Sequence, residues 1–168
     1  MTSAQRQLAI TRRPATPADK PLLRSLFADA HLELTALPTD TRFVLIDMQF
    51  RAQRRTYATA HPNAINEIVV VDDTPVGCVL VDETGEVTRV VDISVALGHR
   101  RRGIAGDVLA AIAGAADAAN RHIELTVWSG NRAAVALVEH AGFAPVADEA
   151  GYVTFNRAPH TLSDVPAR

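Results

Sequence analysis

The amino-acid sequence predicts one domain of the α+β (mixed α/β) class, with about seven strands and about four helices. Runs rich in β-branched residues alternate with segments whose apolar residues recur at helical spacing. The order of these segments along the chain is β-α-α-β-β-β-α-β-α-β-β. The chain has 168 residues, of which 48% are hydrophobic. It is therefore long enough to bury a single core.

The first third of the chain is predicted to form one strand and two helices. Residues 8–11 have the composition of a short strand, and residues 16–19 indicate a helix start, because a threonine suited to the N-cap is followed by proline. This helix is expected to fade near His31. A second helix is expected to begin at residues 38–40 and to end before Pro62, since a proline disfavours helix at the residue before it.

The rest of the chain contains three strand-like runs, a long helix, and then a strand, a helix and two strands. Short turns join the three runs, which favours antiparallel neighbours. We expect strands at residues 67–71, 76–81, 87–97, 123–128, 143–146 and 152–155. The two helices in this part of the chain are expected to begin near residues 104 and 131. Residues 1–157 are predicted to form one domain, and residues 158–168 a disordered tail.

The composition excludes several functional classes. The formal net charge is −2, whereas nucleic-acid-binding domains carry a basic excess, so we expect no nucleic-acid partner. The single cysteine, Cys78, excludes an internal disulfide and a cysteine-rich zinc site, and its apolar neighbours favour a buried, inert thiol. No metal site is expected. Residues 1–13 contain no apolar run of signal-peptide length and no segment approaches a membrane span, so we expect a cytoplasmic protein without membrane contact.

The stretch from His99 to Gly106 reads His-Arg-Arg-Arg-Gly-Ile-Ala-Gly and lies between a predicted strand and a predicted helix. The first N–H groups of a helix have no partner within it, and the helix dipole adds positive charge there. Gly103 lets the backbone approach a phosphate closely, and the arginines add full charges. The segment therefore predicts a site for a ligand that carries pyrophosphate. Taken alone, it is also compatible with a solvated basic loop that caps the helix.

The order of elements and two sequence blocks together resemble the GNAT superfamily of acyl-CoA-dependent N-acetyltransferases, without indicating a subfamily. The acetyl-CoA motif of that family (arginine or glutamine, two residues, glycine, one residue, glycine or alanine) is matched by residues 100–105. A second block is matched by Asn131, Ala134, Leu137 and residues 141–143. The resemblance covers nearly the whole chain. It implies a GNAT-like central sheet that is mostly antiparallel and splayed.

The resemblance also implies how acetyl-CoA, the expected cosubstrate, is held. Backbone N–H groups of the glycine-motif turn would bind the pyrophosphate, and the pantetheine arm would pair with the edge of the preceding strand. The turn residues are Arg100, Arg101, Arg102, Gly103, Ile104, Ala105 and Gly106. The strand residues are Val95, Ala96 and Leu97, and the splay is expected between this strand and the one that ends at Trp128. Asn131 is expected to contact the cofactor arm, to cap the last helix, or to do both.

One position departs from the family pattern. The residue after Leu137 is usually a tyrosine that can protonate the departing thiolate, and here it is Val138. A positioned general acid is worth roughly 10²–10⁴-fold in rate. Three explanations remain open: another side chain donates the proton, with Tyr57, Tyr152 and Ser129 as candidates; water donates it; or the protein binds the cofactor and catalyses poorly.

Transfer to an amine also needs a base, because an ammonium group has no lone pair with which to attack a thioester. Asp92 lies among apolar residues on the strand that leads to the glycine motif, where burial would raise its pKa toward a useful range. Asp92 is our candidate general base, and Glu67 is a weaker candidate. The alternative is that Asp92 pairs with an arginine such as Arg89 or faces solvent. A backbone N–H at the splayed strand is expected to stabilise the thioester oxygen.

The other polar side chains are interpreted as structural. Arg51, Arg54 and Arg55 follow one another on a helix and are interpreted as a solvated face rather than a clamp for an acidic substrate. His31 and Glu33 are expected at a solvated helix end rather than in an acceptor pocket.

Two functions are compatible with the resemblance. The first is an enzyme that transfers an acetyl group from acetyl-CoA to a primary amine of an unidentified small molecule or peptide, by direct attack in a ternary complex. The second is an acyl-CoA-binding sensor or interaction module with little catalysis, which Val138 keeps open. Dimers are frequent among proteins of this kind, so a homodimer is compatible with the resemblance. The sequence does not identify the acceptor amine.

Overall fold

The computed structural model describes residues 9–160, which form one seven-stranded sheet and four α-helices. The strands are β1 (Ile10–Pro14), β2 (Ile65–Val71), β3 (Thr74–Asp82), β4 (Val87–Val95), β5 (His122–Trp128), β6 (Ala144–Glu149) and β7 (Tyr152–Arg157). The helices are α1 (Lys20–Ala30), α2 (Thr39–Ala60), α3 (Ile104–Ala118) and α4 (Arg132–His140). Within this range, none of the helices combines the length and the apolar character needed to cross a bilayer.

The strands lie in the sheet in the order β1-β2-β3-β4-β5-β7-β6. Every neighbouring pair is antiparallel except β4 and β5, which are parallel. Parallel neighbours need a long crossover connection, and α3 provides it. The mixed, mostly antiparallel sheet and the order of its elements confirm the predicted fold class.

The two faces of the sheet are covered by different helices. Side chains alternate between the faces along a strand, so the neighbours Ile68 and Val69 of β2 point in opposite directions. Val69 belongs to a large apolar core that includes residues of α3 and α4. Ile68 belongs to a small cluster with Leu26 of α1 and Cys78 of β3, and a third cluster joins α1 to α2. The apolar core is therefore continuous on one face and divided on the other.

α1 begins after a capped turn. A 3₁₀ turn at Pro17–Asp19 precedes the helix, whose first residue is Lys20. The carboxyl of Asp19 accepts hydrogen bonds from Arg13 at 2.8 and 2.7 Å and from the backbone N–H and hydroxyl of Thr16 at 2.8 and 2.9 Å. The bonds from Arg13 and those from Thr16 hold the pKa of Asp19 well below its usual range, because they stabilise the ionised carboxyl.

β1 lies further along the chain than predicted. It runs over Ile10–Pro14 rather than over residues 8–11, of which Leu8 lies outside the described residues. The two arginines that follow Thr11 join the strand, because their backbones pair with β2 while their guanidinium groups contact carboxylates. An edge strand tolerates such charged side chains.

β7 ends at Arg157, the last residue of the predicted domain. The buried guanidinium of Arg157 donates two hydrogen bonds to the carboxyl of Asp117 in α3, at 3.0 and 2.7 Å. The backbone N–H of His160 donates to the same carboxyl at 2.9 Å. These bonds connect the last strand to α3. The rest of the predicted tail, residues 161–168, lies outside the described residues.

Candidate active site

β4 and β5 separate part-way along their length. They pair only through residues 87–90 of β4 and 122–125 of β5. At this point the register between β3 and β4 shifts, and Val91 forms a β-bulge that bends the strand. Beyond the bulge, β4 continues to Val95 and β5 to Trp128 without pairing between them. The sheet therefore opens between β4 and β5, at the predicted splay.

The opening leads into a cleft of about 810 Å³. Its walls are the second half of β4, the turn before α3, the first residues of α3 and one side of α4. The lining residues of the strand, the turn and α3 are Ile93, Ser94, Val95, His99, Arg100, Arg101, Gly103, Ile104, Ala105 and Gly106, and those of the other helices include Ala30, Asn131, Ala134, Leu137 and His140. A cleft of this size can hold a small-molecule ligand. It brings together most of the predicted cofactor contacts.

The turn that enters α3 contains two residues in the left-handed region. Arg101 has a φ of 63°, and Gly103, the N-cap of α3, has a φ of 81°. This conformation costs glycine little and arginine more. In the described part of the chain, no group accepts a hydrogen bond from the backbone N–H of Gly103, Ile104 or Ala105. The turn therefore presents free donors at the positive end of a 15-residue helix.

The three arginines of the turn occupy different positions. The guanidinium of Arg100 is part-buried and donates to the backbone oxygens of Val95 at 2.9 Å and Asp29 at 3.0 Å. It thereby connects the end of β4 to α1. Arg101 and Arg102 are exposed, and Arg101 lines the cleft whereas Arg102 does not. Arg101 therefore contributes the least restrained positive charge to the cleft.

β4 ends two residues earlier than predicted, because Leu97 begins a 3₁₀ turn. The backbone N–H of Ala96 donates to a carbonyl of β3 at 2.8 Å, and that of Leu97 donates to the carboxyl of Asp29 at 2.8 Å. Both donors are used within the protein, and neither residue lines the cleft. The unpaired edge of β4 consists of residues 91–95, and of the three residues predicted to hold the pantetheine arm only Val95 lies on it, so the contacts at Ala96 and Leu97 stay predictions.

Asn131 caps α4. Its side-chain oxygen accepts a hydrogen bond from the backbone N–H of Ala134 at 3.2 Å, which satisfies a donor in the first turn of the helix. The capping role predicted from the sequence is therefore present. Asn131 also lines the cleft, where a ligand can reach it.

A smaller cavity of about 60 Å³ lies on the α1 side of β4. Asp92 and Ser94 of β4 line this space, the Asp92 cavity, together with Cys78 of β3 and residues of α1 and α2. The cavity shares Ala30 and Ser94 with the cleft. The two spaces are therefore neighbours. The Cys78 thiol is buried, and this burial raises its pKa to about 12, which makes it inert as predicted.

Burial raises the pKa of Asp92 to about 6. A hydrogen bond from the backbone of Ile93 and the positive charge of Arg54 oppose this rise in pKa but do not cancel it. A carboxyl with such a pKa is ionised at neutral pH and still basic enough to accept a proton. Arg89, which the sequence offered as an ion-pair partner for Asp92, contacts Glu124 instead, at 3.2 Å.

Glu67 lies on the other face of the sheet from the Asp92 cavity. It shares its face with Val69, which is part of the large core under α3 and α4. Its carboxyl accepts a hydrogen bond from Arg12 of β1 at 2.8 Å. The structure therefore does not bring Glu67, the weaker candidate base, to the site.

The candidate proton donors differ in their exposure. Ser129 is exposed on the loop after β5 and lines neither the cleft nor the Asp92 cavity. Tyr152 is exposed at the start of β7. Burial, followed by the negative charge of the nearby Asp92, raises the pKa of Tyr57 in α2 to about 12. Val138 is 4% exposed and belongs to the large core, so a tyrosine at this position would have to displace core side chains.

Sequence reasoning missed the contribution of α2 to the site. Gln53 and Arg54 line the Asp92 cavity, and Arg54 is half-buried with no salt bridge to a carboxylate of residues 9–160. Its interpretation as part of a solvated helix face is therefore corrected. His31 also lines the cavity and stacks on Phe27 with ring centroids 4.0 Å apart. No local pattern identifies these residues, because the packing of α1 and α2 against the sheet brings them there.

The chain matches the sequence model of the Acetyltransferase (GNAT) family over residues 27–143, which is more than half of its length. The chain belongs to the GNAT family. This confirms the resemblance carried by the glycine motif and the Asn131 block. Acetyltransferases of this family use acetyl-CoA and act on amine acceptors, so the predicted cosubstrate is confirmed as well.

Solved structures share the fold at low sequence identity. The PaiA N-acetyltransferase from Thermoplasma acidophilum, in complex with coenzyme A, is 10% identical with a TM-score of 0.68, and the match covers 89% of this chain and 99% of that one. An acetyltransferase from Thermus thermophilus is 22% identical with a TM-score of 0.66, covering 89% and 96%. The ribosomal-protein-S18-alanine N-acetyltransferase from Escherichia coli is 16% identical with a TM-score of 0.65, covering 92% and 97%. No curated protein sequence matches the chain.

Proposed function

We propose that this protein transfers the acetyl group of acetyl-CoA to a primary amine, by direct attack of the amine within a ternary complex. The observation that supports the proposal best is the junction between the cleft and the Asp92 cavity. The two spaces share Ala30 and Ser94 beside the unpaired edge of β4. Two substrates that enter from opposite sides of the sheet can therefore meet at the opening between β4 and β5.

In this proposal, acetyl-CoA occupies the cleft and supplies an acetyl group activated as a thioester. The N–H groups of the turn from Arg101 to Gly106 bind the pyrophosphate, and the Arg101 side chain adds positive charge. The unpaired edge of β4 up to Val95 forms hydrogen bonds with the pantetheine amides as a neighbouring strand would. Asn131 contacts the same arm from α4. The free donors at Gly103 and the unpaired strand edge support this placement.

Asp92 acts in this proposal as the general base. It takes a proton from the ammonium form of the acceptor, directly or through a water molecule, and the free amine attacks the thioester carbon. A backbone N–H on the unpaired edge of β4 stabilises the oxygen that becomes anionic. The new C–N bond forms and the C–S bond breaks. The nitrogen loses its second proton as the amide forms and the thiolate takes up one proton, so the products are the amide, the free thiol and protonated Asp92.

Tyr57 is the proton donor that we propose in place of the tyrosine absent at Val138. Its phenol is protonated at neutral pH and lies close to Asp92, and its raised pKa makes it a weaker acid than an ordinary tyrosine. Replacing Tyr57 with Phe removes the hydroxyl and should lower kcat by roughly 10²-fold. The matched variant Tyr152→Phe, at the exposed phenol, should leave kcat within a factor of about two, since exposed substitutions are usually neutral. Equal rates for the wild type and Tyr57→Phe would assign the donation to water.

The cofactor site is tested by calorimetric titration with acetyl-CoA. The wild type should bind, and Gly103→Glu should abolish binding, because a carboxylate in the turn repels the pyrophosphate and a side chain is strained at a φ of 81°. The same substitution at Gly114, where no other group lies within 4 Å, is the matched control on α3 and should bind normally. A wild type that does not bind acetyl-CoA would refute the proposed function.

Catalysis is tested by measuring the release of free thiol with a panel of primary amines. The proposed enzyme releases thiol only when acetyl-CoA and a suitable amine are both present. Tight binding of acetyl-CoA without thiol release for any amine would instead support the sensor or interaction module that Val138 leaves open.

A further inference from the structure

A second space lies beyond the Asp92 cavity and has no part in the proposed reaction. This basic pocket, of about 430 Å³, is lined by the cationic side chains Lys20, Arg51, Arg54 and Arg55 and by Asn66. No aspartate or glutamate is among the residues that line it. Of these four cationic groups, only Arg51 forms a salt bridge within residues 9–160, to Asp47, which does not line the pocket. The remaining positive charge favours a negatively charged occupant.

The amide of Asn66 provides an independent indication of a ligand. Its Oδ1 and Nδ2 are both buried and have no hydrogen-bond partner in the described part of the chain. Buried polar groups without a partner are rare in native structures, because their desolvation is not compensated. An anion in the basic pocket would accept a hydrogen bond from Nδ2 and so remove the deficit at this donor.

The basic pocket and the candidate base are aligned across the sheet. Asn66 of β2 pairs with Leu80 of β3, and Leu80 pairs with Asp92 of β4. Paired residues point to the same face, and neighbouring strands are about 4.8 Å apart, so Asn66 and Asp92 lie on one face about 10 Å from each other.

The basic pocket and the Asp92 cavity are also contiguous. They share Leu23, Phe50 and Arg54. The leucine and the phenylalanine form an apolar wall suited to methylene groups. Arg54 lies at the junction, and unlike Arg51, which contacts Asp47 at 2.8 Å, it has no salt bridge within residues 9–160. Its guanidinium is therefore available to a ligand.

We propose that the basic pocket binds the anionic end of the acceptor, so that the acceptor is an amine with a carboxylate or a phosphate several methylene groups from the reacting nitrogen. This inference rests on the proposed function and specifies its substrate class. Arginine pairs with either anion through two parallel hydrogen bonds, and Asn66 adds a third donor. An acceptor with a second ammonium group would be repelled by the four cationic side chains.

The test compares acceptors that have the same chain length and differ only at the end remote from the amine. They are ε-aminocaproate, its neutral amide, hexylamine and hexamethylenediamine, and thiol release is measured for each. A hydrogen bond to a charged group changes a binding constant by about 10- to 100-fold. We therefore expect kcat/KM for ε-aminocaproate to exceed that for hexylamine by this factor. The diamine should be the poorest acceptor. Aminohexyl phosphate then shows which of the two anions is preferred.

Variants of the pocket should reduce this preference. Asn66→Leu removes the buried amide at similar volume, and Arg54→Gln removes the charge at the junction. Each should lower the ratio of kcat/KM for ε-aminocaproate to that for hexylamine by about 10-fold. The ratio is informative because an altered pKa of Asp92 affects both acceptors alike. Arg42→Gln removes an arginine from the same helix outside the basic pocket and should leave the ratio unchanged.

The outcomes separate the two proposals. Equal kcat/KM for ε-aminocaproate, its amide and hexylamine would overturn the anionic acceptor while leaving the proposed function intact. If no thiol is released with any amine, the proposed function fails. Calorimetric titration with hexanoate and hexyl phosphate then tests whether the basic pocket binds an anion. Binding by the wild type that is lost in both Asn66→Leu and Arg54→Gln supports an anion site. Absence of binding by the wild type overturns it.

Discussion

The face of the sheet under α3 and α4 and the face under α1 and α2 are filled in different ways. On the first, strands and helices form one continuous apolar core. On the second, small apolar clusters lie beside two spaces lined by Asp92, Arg54 and Asn66. Close packing stabilises a fold, whereas a substrate needs space and polar groups. The comparison indicates that stability depends mainly on the first face and the chemistry of the acceptor amine on the second.

The largest expected effect is on catalysis at the second face. Asp92→Asn removes the proposed base and should lower kcat by roughly 10²–10⁴-fold. In the wild type, kcat/KM should rise with pH through about 6, because Asp92 must be ionised to accept a proton. That rise should be absent from the residual activity of the variant. A pH profile of thiol release checks this, and an unchanged profile in Asp92→Asn would assign the base elsewhere.

The next largest effect is on the free energy of unfolding, and it compares one buried leucine on each face. Leu109 of α3 and Leu26 of α1 are both 2% exposed. Leu109→Ala leaves a cavity in the continuous core and should cost about 4 kcal/mol, whereas Leu26→Ala enlarges an existing space and should cost about 2 kcal/mol. Urea unfolding measures both. Leu32→Ala, at a residue 47% exposed, is the control and should change stability by less than about 1 kcal/mol. Equal costs at the two buried leucines would contradict the comparison.

The third effect is a gain in stability that depends on pH and results from replacing Asp92 on the second face. The folded-state pKa of Asp92, about 6, lies above its ordinary value of 3.8. Between these values the folded state binds more protons, so ionisation of Asp92 destabilises the wild type as pH rises. Asp92→Asn should therefore match the wild type below about pH 4 and be more stable above pH 6, by at most about 3 kcal/mol. Urea unfolding across this range checks the trend, and a difference that is independent of pH would argue against a buried carboxylate.

The smallest effect concerns the glycine turn that precedes α3. Gly103→Ala places a side chain at a φ of 81°, which should cost about 1–2 kcal/mol. Gly114→Ala, on the same helix with open space around it, should instead stabilise the protein by about 0.5–1 kcal/mol. Thermal unfolding of both variants checks the opposite signs. A Gly103→Ala variant that is as stable as the wild type or more stable would show that the turn carries no special backbone constraint.

The sequence predicted the strand order along the chain, the glycine turn and the candidate base, but not the acceptor side of the site. The extent of the strand edge was also overestimated, because the N–H groups of Ala96 and Leu97 find partners in β3 and in Asp29. Arg54 was assigned to a solvated face from its helical spacing. This spacing shows which residues share a face of the helix, but it does not show what packs against that face.

By itself, the sequence determined the order of the elements, the class of the fold and the position of the glycine turn before α3, because these depend on periodicity and on residues within a few positions of one another. Only the tertiary structure decided that Asn66, Arg54 and Asp92 lie around neighbouring spaces on one face. Strand register and helix packing join residues that are distant in the chain. The pKa of Asp92 likewise depends on the desolvation that this packing produces.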